Sequence, residues 1–437
     1  MNANQLAFID TIDGPLAGFF LVCAAVNVVA AVIGAVRRQW AWLGWLPAAG
    51  VFLLLAIMSL VGRPWLLPDG FKQMVNEVVT PVSFTLGMIA AVAAVFYWRR
   101  LFVRPMVAFG LLNVALLALG LSATDRHFAP LIAEPDHIAI VGLVFSFGFF
   151  LWAAAWQAQR NDDRLARGHV PDEAAFDGKA LTWPDLVYIE LIAMVLVTAG
   201  LLAWSVLLKA PLEEPANPVL TPNPSKAPWY FLGLQEMLVY ADAWYAGVVV
   251  PALMLIGLMA IPYIDPNPKG NGYYTIRERP FAIGVFLAAV LVLWLMPILV
   301  GTFMRGPNWT FFAPFEPRDP HAIVPHEARS LSEYVWTVWL GMGMPEASAQ
   351  AGPWSRTLTI LWRELFGIVL VAAYFIGVPW LLAATWLKRL RQQMSRTQYA
   401  VMMVILLVML SLPLKMLLRW TVDLSYIVAI PEWALSL

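Results

Sequence analysis

The sequence predicts an all-α integral membrane protein with about ten transmembrane helices. Three observations support this prediction: long apolar runs recur along the chain, 61% of its 437 residues are hydrophobic, and only 13% are charged. A soluble domain carries roughly 25% charged residues, and a run of about 20 apolar residues spans the hydrocarbon core of a bilayer. Most of this chain is therefore expected to have lipid as its solvent.

The apolar runs predict helices rather than strands. The bilayer core contains no water to hydrogen-bond with free backbone groups, so only helices and closed barrels cross it. These runs are too apolar for the alternating strands of a barrel. We predict spans at residues 15–36, 42–62, 78–98, 103–122, 138–157, 185–208, 244–264, 281–304, 358–387 and 398–419.

Basic residues in the loops predict the orientation of the chain. Every second connection is rich in arginine or lysine, such as Arg37 and Arg38 after the first span and Arg99 and Arg100 after the third. The positive-inside rule places these connections in the cytoplasm. Because the number of spans is even, both termini are expected on the outer, periplasmic side.

A polar linker divides the chain into two sets of five spans. Residues 158–183 carry charges of both signs and lead into Trp183 and Pro184. We predict a five-helix extension over residues 1–157, a cytoplasmic linker over 158–183 and a second unit over 184–437. The two halves show no sequence repeat, which disfavours an inverted-repeat transporter.

The composition excludes several classes of function. The net charge is zero, so no basic surface indicates nucleic acid. The single cysteine, Cys23, excludes an intrachain disulfide, a cysteine-ligated cluster and a structural zinc site. A b-type haem between helices needs two axial imidazoles at membrane depth. We expect no metal or haem on this chain, because all five histidines fall in loops or near a helix end: His127, His137, His169, His321 and His326.

Two long loops, at residues 209–243 and 305–357, are expected on the outer side. In the first, the stretch from Pro222 to Leu238 predicts a proline-fixed entry and then a short surface helix over 229–240. Its one acid, Glu236, is suited to accept a proton from a ligand if it lies at the edge of an apolar pocket. A solvated acid at headgroup level is the alternative. In the second loop, residues 331–340 predict a similar surface helix with tryptophans at headgroup level.

The residues from Pro228 to Leu232 (Pro-Trp-Tyr-Phe-Leu) resemble the Pro-Glu-Trp-Tyr motif of the cytochrome b family. In that family the motif lies between the first two helices of the C-terminal domain and lines the quinol-oxidation site. Residues 260–269, 305–312, 317–321, 413–420 and 426–432 are similar to further segments of the family in the same order. The resemblance covers roughly residues 184–437, a little over half of the chain.

This resemblance implies a membrane subunit of a bc-type quinol:cytochrome c oxidoreductase in the bacterial inner membrane. Quinol would be the substrate and would dock beneath the aromatic surface helix. The N-terminal half lacks the family's haem-bearing histidines. The resemblance therefore implies a separate haem-bearing cytochrome b subunit, a Rieske iron–sulfur protein and a c-type cytochrome as partners. These partners would hold haem b, haem c and the cluster, so no redox centre is expected on this chain. Dimerisation is expected from the resemblance only.

The sequence departs from the family at the motif glutamate, whose position is occupied by Pro228. Our hypothesis is that Glu236, eight residues and roughly 12 Å further along the helix, replaces it as the catalytic proton acceptor. Two alternatives stay open, a non-catalytic assembly subunit and a polytopic transporter, although no ionisable cluster near the midplane supports the transporter. The quinol pocket would be formed by Pro228, Trp229, Tyr230, Phe231 and Leu234, for which headgroup anchoring is the alternative role.

Charged residues close to the spans form a last group. Asp185 and Glu190 near the start of the sixth span either extend to the headgroups or belong to a proton entry route. Further along the chain, we expect pairing across helices for Arg363, Glu364, Lys415 and Arg419.

Overall fold

The predicted all-α membrane fold is confirmed over the part of the chain that the structure describes. In the computed structural model, nine helices among these residues are long and apolar enough to cross a membrane, and a pair of helices bent by 82° would make ten if it counts as one span. The side on which the termini lie stays a prediction. The described residues are 3–176, 178–179, 181–207, 215, 217–219, 221–267, 273–319, 321, 329–348, 350–433 and 435–436.

The N-terminal half contains five apolar helices and several short ones. A 3₁₀ turn over Trp40–Gly44 joins the first two long helices. The helices are α1 (Ala3–Val36), α2 (Trp45–Leu60), α3 (Asp69–Val78), α4 (Pro81–Tyr97), α5 (Arg99–Phe102), α6 (Pro105–Ser122), α7 (Phe128–Ala133), α8 (Pro135–Ala166) and α9 (Asp172–Ala175).

The C-terminal half repeats this mixture of long and short helices. Its helices are α10 (Thr182–Leu207), α11 (Trp229–Met237), α12 (Tyr245–Ile264), α13 (Pro280–Met304), α14 (Leu331–Glu333, continued by Tyr334–Trp339), α15 (Pro353–Arg363), α16 (Leu365–Ala384), α17 (Lys388–Gln393) and α18 (Arg396–Val422). Two 3₁₀ turns lie at Pro307–Trp309 and Pro431–Trp433.

Two small sheets hold the C-terminal tail. β1 (Arg329–Ser330) pairs in parallel with β2 (Leu424–Tyr426), and a bulge interrupts the register between Arg329 and Ser330. β3 (Ala429–Ile430) pairs in antiparallel fashion with β4 (Leu435–Ser436). The first sheet ties the residues after α18 to the start of α14.

Helix α3 and the span α4 meet at the sharp bend. Thr80 caps α4 through a reciprocal capping box with Ser83, and Pro81 occupies the first turn of the helix. These residues end α3 and start a new direction. Asn76 on α3 accepts a bond from the Phe315 backbone N–H, and Val79 packs against the cluster that contains Tyr240, so α3 lies at the end of the bundle that carries α11. We call this end the motif end.

Helix α4 belongs to the N-terminal half but packs within the C-terminal half, against α13 and α18. Its residues Met88 and Val92 contact a buried cluster that includes Met296, Val300 and Met416. The two halves are thus joined through a shared core. The boundaries predicted at residues 157 and 184 stay predictions.

At the opposite end of the bundle, α8 runs beyond its predicted end at residue 157 to Ala166. Its last turns carry polar residues, and these bind the loop before α13. The Asp162 carboxylate accepts bonds from the backbone N–H groups of Ile276 and Arg277, each at 3.2 Å, and the Asn161 amide donates to the Tyr274 carbonyl at 3.0 Å. Part of the predicted linker is therefore helix.

The predicted span 358–387 is two helices, and this prediction was wrong in its first residues. Amphipathic α15 ends at Arg363, and the spanning helix α16 begins only at Leu365. Arg363 bonds to its neighbour Glu364 at 3.0 Å and to both oxygens of Glu432 at 2.9 Å. Its main partner thus lies in the C-terminal tail rather than on another span.

Candidate functional site

The aromatic stretch after Pro228 forms the predicted short helix, α11. It ends at Met237, three residues earlier than expected. Two aromatic residues on its free face are exposed, Tyr230 by 53% and Phe231 by 51%. The opposite face, which carries Leu232, Gly233, Glu236 and Met237, is buried against the bundle. Among the other predicted site residues, Pro228 is exposed, whereas Trp229 and Leu234 are half-buried.

The buried face of α11 packs closely on α13. A side chain at Gly233 would come within 3.5 Å of the Ile298 side chain and 3.6 Å of the Trp294 carbonyl. Across the same contact, Leu232 lies 3.5 Å from the Cβ position of Gly301. Quinol was expected beneath this helix, but at these positions the chain's own side chains fill the space.

The proline-rich entry to α11 is fixed to the end of α13. The Lys226 ammonium donates to the Thr302 carbonyl at 2.7 Å. Asn223 and Asn308 exchange two bonds, one between their side chains at 3.0 Å and one from the Asn308 backbone N–H at 2.7 Å. Gln235 on α11 binds this entry directly, since its amide oxygen accepts a hydrogen bond from the Ala227 backbone N–H at 2.7 Å.

Glu236, the one acid on α11, forms a fully buried ion pair with Arg305. Neither side chain is exposed by more than 1%. The guanidinium binds both carboxylate oxygens, with Nε 2.9 Å from Oε2 and Nη2 2.6 Å from Oε1. This bidentate geometry is the strongest form of arginine–carboxylate contact.

Further groups complete the hydrogen bonds of this pair. The Tyr240 hydroxyl donates to Glu236 Oε1 at 2.8 Å and accepts from the Trp420 indole at 3.1 Å. Arg305 also donates to the Trp309 carbonyl at 2.8 Å, and its guanidinium carbon lies 5.3 Å from the centre of a Trp420 ring. Burial, and next the Glu236 charge, raise the pKa of the Tyr240 hydroxyl far above its usual value, so Tyr240 stays a neutral donor.

Glu236 was predicted from the sequence as a site residue, whereas its partner Arg305 was not. Arg305 lies 69 residues further on, just after α13 ends. One signal was available, because an arginine directly after a span and a lone acid in the neighbouring loop can neutralise each other. The role of Glu236 as a proton acceptor stays a prediction, and its contacts favour a positioning role.

The described histidines do not fit a haem. His127, His169 and His321 lie in loops, and His137 lies near the start of α8, where its Nδ1 is 2.5 Å from the Leu131 carbonyl oxygen. His326 is outside the described residues. In the part of the chain that the structure covers, no three residues among His, Cys, Asp and Glu group in a way that could hold a metal ion.

Comparison with known proteins bears on this site directly. Residues 215–312 match the family model described as "Cytochrome b(C-terminal)/b6/petD". This match supports the resemblance of the segment to the cytochrome b C-terminal family. The cytochrome b segment contains α11, α12, α13 and both members of the Glu236–Arg305 pair. No solved structure gives a significant match to the chain.

The cytochrome b segment supports a coarse assignment. The protein is a multi-pass membrane protein, and the segment indicates a subunit of a bc- or b6f-type electron-transport complex, in which haem and quinone take part. Residues 1–214 and 313–437 lie outside the match, so the five spans of the extension gain no assignment from it.

Proposed function

We propose that the protein is the quinol-site subunit of a bc-type quinol:cytochrome c oxidoreductase in a bacterial inner membrane. The observation that carries the proposal is the exposed aromatic face of α11, held on a fixed helix inside the cytochrome b segment. Exposed apolar groups that a protein positions rigidly commonly mark an interaction site.

The quinol ring would bind on this free face rather than beneath the helix. Tyr230 and Phe231 have ring centroids 4.8 Å apart, and the Trp229 ring lies edge-on to Tyr230 at 5.7 Å. Aromatic rings stack favourably on a planar ligand. Pro228 and Leu234 would border the ring, and a haem-bearing cytochrome b subunit would supply the opposite wall.

Oxidation of quinol to quinone releases two electrons and two protons. In the proposed complex, one electron goes to the iron–sulfur cluster of a Rieske partner and one to a b haem on the sister subunit, with a c-type cytochrome as the later acceptor. The contribution of this chain is to bind and orient the ring, since cofactors carry the electron chemistry.

Glu236 would act as a positioning residue in this proposal. Its bond to Arg305 joins α11 to the residues after α13 and thereby fixes the height of Tyr230 and Phe231 above the bundle. A double-variant experiment distinguishes positioning from proton acceptance. If Glu236 only positions the helix, Glu236→Leu with Arg305→Leu should recover much of the quinol turnover that Glu236→Leu alone loses. If Glu236 accepts the proton, the double variant stays as inactive as the single one.

A non-catalytic assembly subunit is the second candidate. It is favoured by the proline at the position of the motif glutamate and by the engagement of both Glu236 oxygens with Arg305 and Tyr240. On this reading α11 is a contact surface for partner subunits and no quinol binds to it.

Turnover of the purified complex with quinol and cytochrome c separates the two candidates. For Tyr230→Ala and Phe231→Ala we expect kcat/KM to fall about tenfold or more, because ring stacking and apolar burial are lost. Trp354→Ala is the control, since Trp354 is 83% exposed and lies at the start of α15. Unchanged turnover in the two α11 variants, with the complex intact, would favour the assembly subunit.

A further inference from the structure

A second polar site lies at the motif end, in the N-terminal extension. A cavity of about 440 Å³ opens between α3, the loop that follows α6, and residues Phe315 and Pro317 beyond the cytochrome b segment. The cavity is thus shared by both halves of the chain, and the Asn76 side chain accepts a bond from the Phe315 backbone N–H at 3.0 Å across it.

Helix α3 presents one polar and one apolar face. Three apolar residues on its outer face are exposed, Phe71 by 45%, Met74 by 52% and Val78 by 62%. A short helix of this pattern at a sharp bend before a span lies in the headgroup region. The polar residues of α3 that line the cavity are Asp69, Lys72, Gln73 and Asn76.

The acids of the cavity already have partners within it. The Lys72 ammonium lies 3.1 Å from Asp125 and 2.9 Å from Asp69. The other oxygen of Asp125 accepts from the backbone N–H groups of His127, at 2.8 Å, and Phe128, at 3.2 Å. These contacts leave little capacity for a cation.

Hydrogen-bond donors, in contrast, are in surplus. The Arg126 guanidinium donates one bond, to His127 at 3.0 Å, and no carboxylate of the described chain pairs with it. Burial, followed by the charges of Arg126 and Lys72, lowers the pKa of His127 despite the opposing effect of Asp125, so the imidazole is neutral and can accept this bond. Because the Asn76 oxygen is engaged by Phe315, its amide NH₂ is the group left for a ligand.

We propose that this cavity binds a phosphate group through Arg126, with Lys72 and the Asn76 amide as further donors. Arginine is suited to this role because its planar fork matches two phosphate oxygens. The phosphate is carried either by a phospholipid headgroup or by free inorganic phosphate. The apolar face of α3 is turned away from the cavity and sets this helix at the depth of the lipid headgroups, which favours the phospholipid.

The test uses the full chain, delipidated in detergent, and measures binding by thermal stabilisation and by native mass spectrometry. The probes are phosphatidylglycerol, diacylglycerol and inorganic phosphate. We expect phosphatidylglycerol to bind and Arg126→Gln to weaken that binding about tenfold, the size expected for a lost charge-assisted hydrogen bond. Arg63→Gln is the matched control, because Arg63 is an exposed arginine of the same end that does not line the cavity.

Each outcome decides the proposal. Binding of phosphatidylglycerol alone, dependent on Arg126, supports a lipid site, and binding of inorganic phosphate with the same dependence supports a free-anion site. Equal binding of diacylglycerol and phosphatidylglycerol would overturn the proposal, because the phosphate would then contribute nothing. Equal losses in Arg126→Gln and Arg63→Gln, or no binding of any probe, would also overturn it.

Discussion

Two polar clusters at the motif end of the bundle differ in how completely they are closed. In the first, Glu236 and Arg305 are at most 1% exposed, and both carboxylate oxygens bond within the protein. In the second, Lys72 has 22% of its side chain exposed, and the cluster borders an open cavity. A closed ion pair fixes the position of a helix, whereas an open cluster with surplus donors can bind a ligand.

The two clusters should also differ in the stability that is lost when one of their members is removed. A buried ion pair contributes little net stability compared with an apolar pair of the same shape, but breaking it is costly because one charge is left without water or partner. A partly exposed cluster is solvated when it loses a member, so its loss costs less. Four measurements of unfolding would test whether the two clusters differ in this way.

The largest effect is expected for Glu236→Gln. It leaves the Arg305 guanidinium buried without a counter-charge, and we expect the free energy of unfolding to fall by about 3–5 kcal/mol. Denaturant unfolding in detergent measures it, with Glu333→Gln on α14 as an acid-to-amide control. A loss below about 1 kcal/mol would show that the first cluster is not closed in solution.

Tyr240→Phe should have an intermediate effect. It removes two hydrogen bonds of the Tyr240 hydroxyl, the one to Glu236 and the one from the Trp420 indole, at a cost of about 1–3 kcal/mol. The same unfolding assay applies, and Tyr188→Phe on α10 is the control because the Tyr188 side chain is exposed. Equal stability of the two variants would show that the hydrogen bonds of Tyr240 around Glu236 do not contribute to stability.

Lys72→Met should cost less, about 1 kcal/mol, because the backbone N–H groups of His127 and Phe128 still bind Asp125. The loss should shrink as salt is added, since part of the pair is open to solvent. Unfolding at low and high ionic strength tests this expectation. A loss as large as that of Glu236→Gln would remove the distinction between the clusters.

The smallest effect concerns pH. The pKa of His127 lies below its ordinary value of 6.5, chiefly through burial. The unfolded chain therefore binds more protons below about pH 6.5, so this histidine's contribution to stability is present above that pH and is lost as the pH falls toward the lowered pKa. Stability should therefore fall slightly between pH 7 and pH 5, and this fall should be absent in His127→Gln. An identical pH slope in the variant would contradict a neutral His127.

The membrane fold was predictable because lipid imposes strict rules on apolar runs. The proline entry and the aromatic run also located α11 to within three residues at its end. The polar last turns of α8 were not predicted as helix, because Asn161 and Asp162 are polar residues typical of a linker and their partners at residues 274–277 are distant in sequence.

The chemical state of the candidate site was not predictable in the same way. Glu236 was identified from its position, but its environment depends on Arg305, which follows a span 69 residues later. An arginine directly after a span indicates that it needs a nearby acid, but local sequence pattern does not identify that acid. The break at Glu364 was missed for a similar reason, since Arg363 is held by Glu432 in the C-terminal tail.

The packing of α4 against α13 and α18 has a consequence for the synthesis of the protein. At 17 residues, α4 is about 26 Å long, slightly less than the roughly 30 Å of hydrocarbon that it has to cross. The ribosome completes this helix almost two hundred residues before its neighbour α13. During synthesis the short helix must therefore remain in the bilayer, or at its surface, without its packing partners until α13 and α18 have been made.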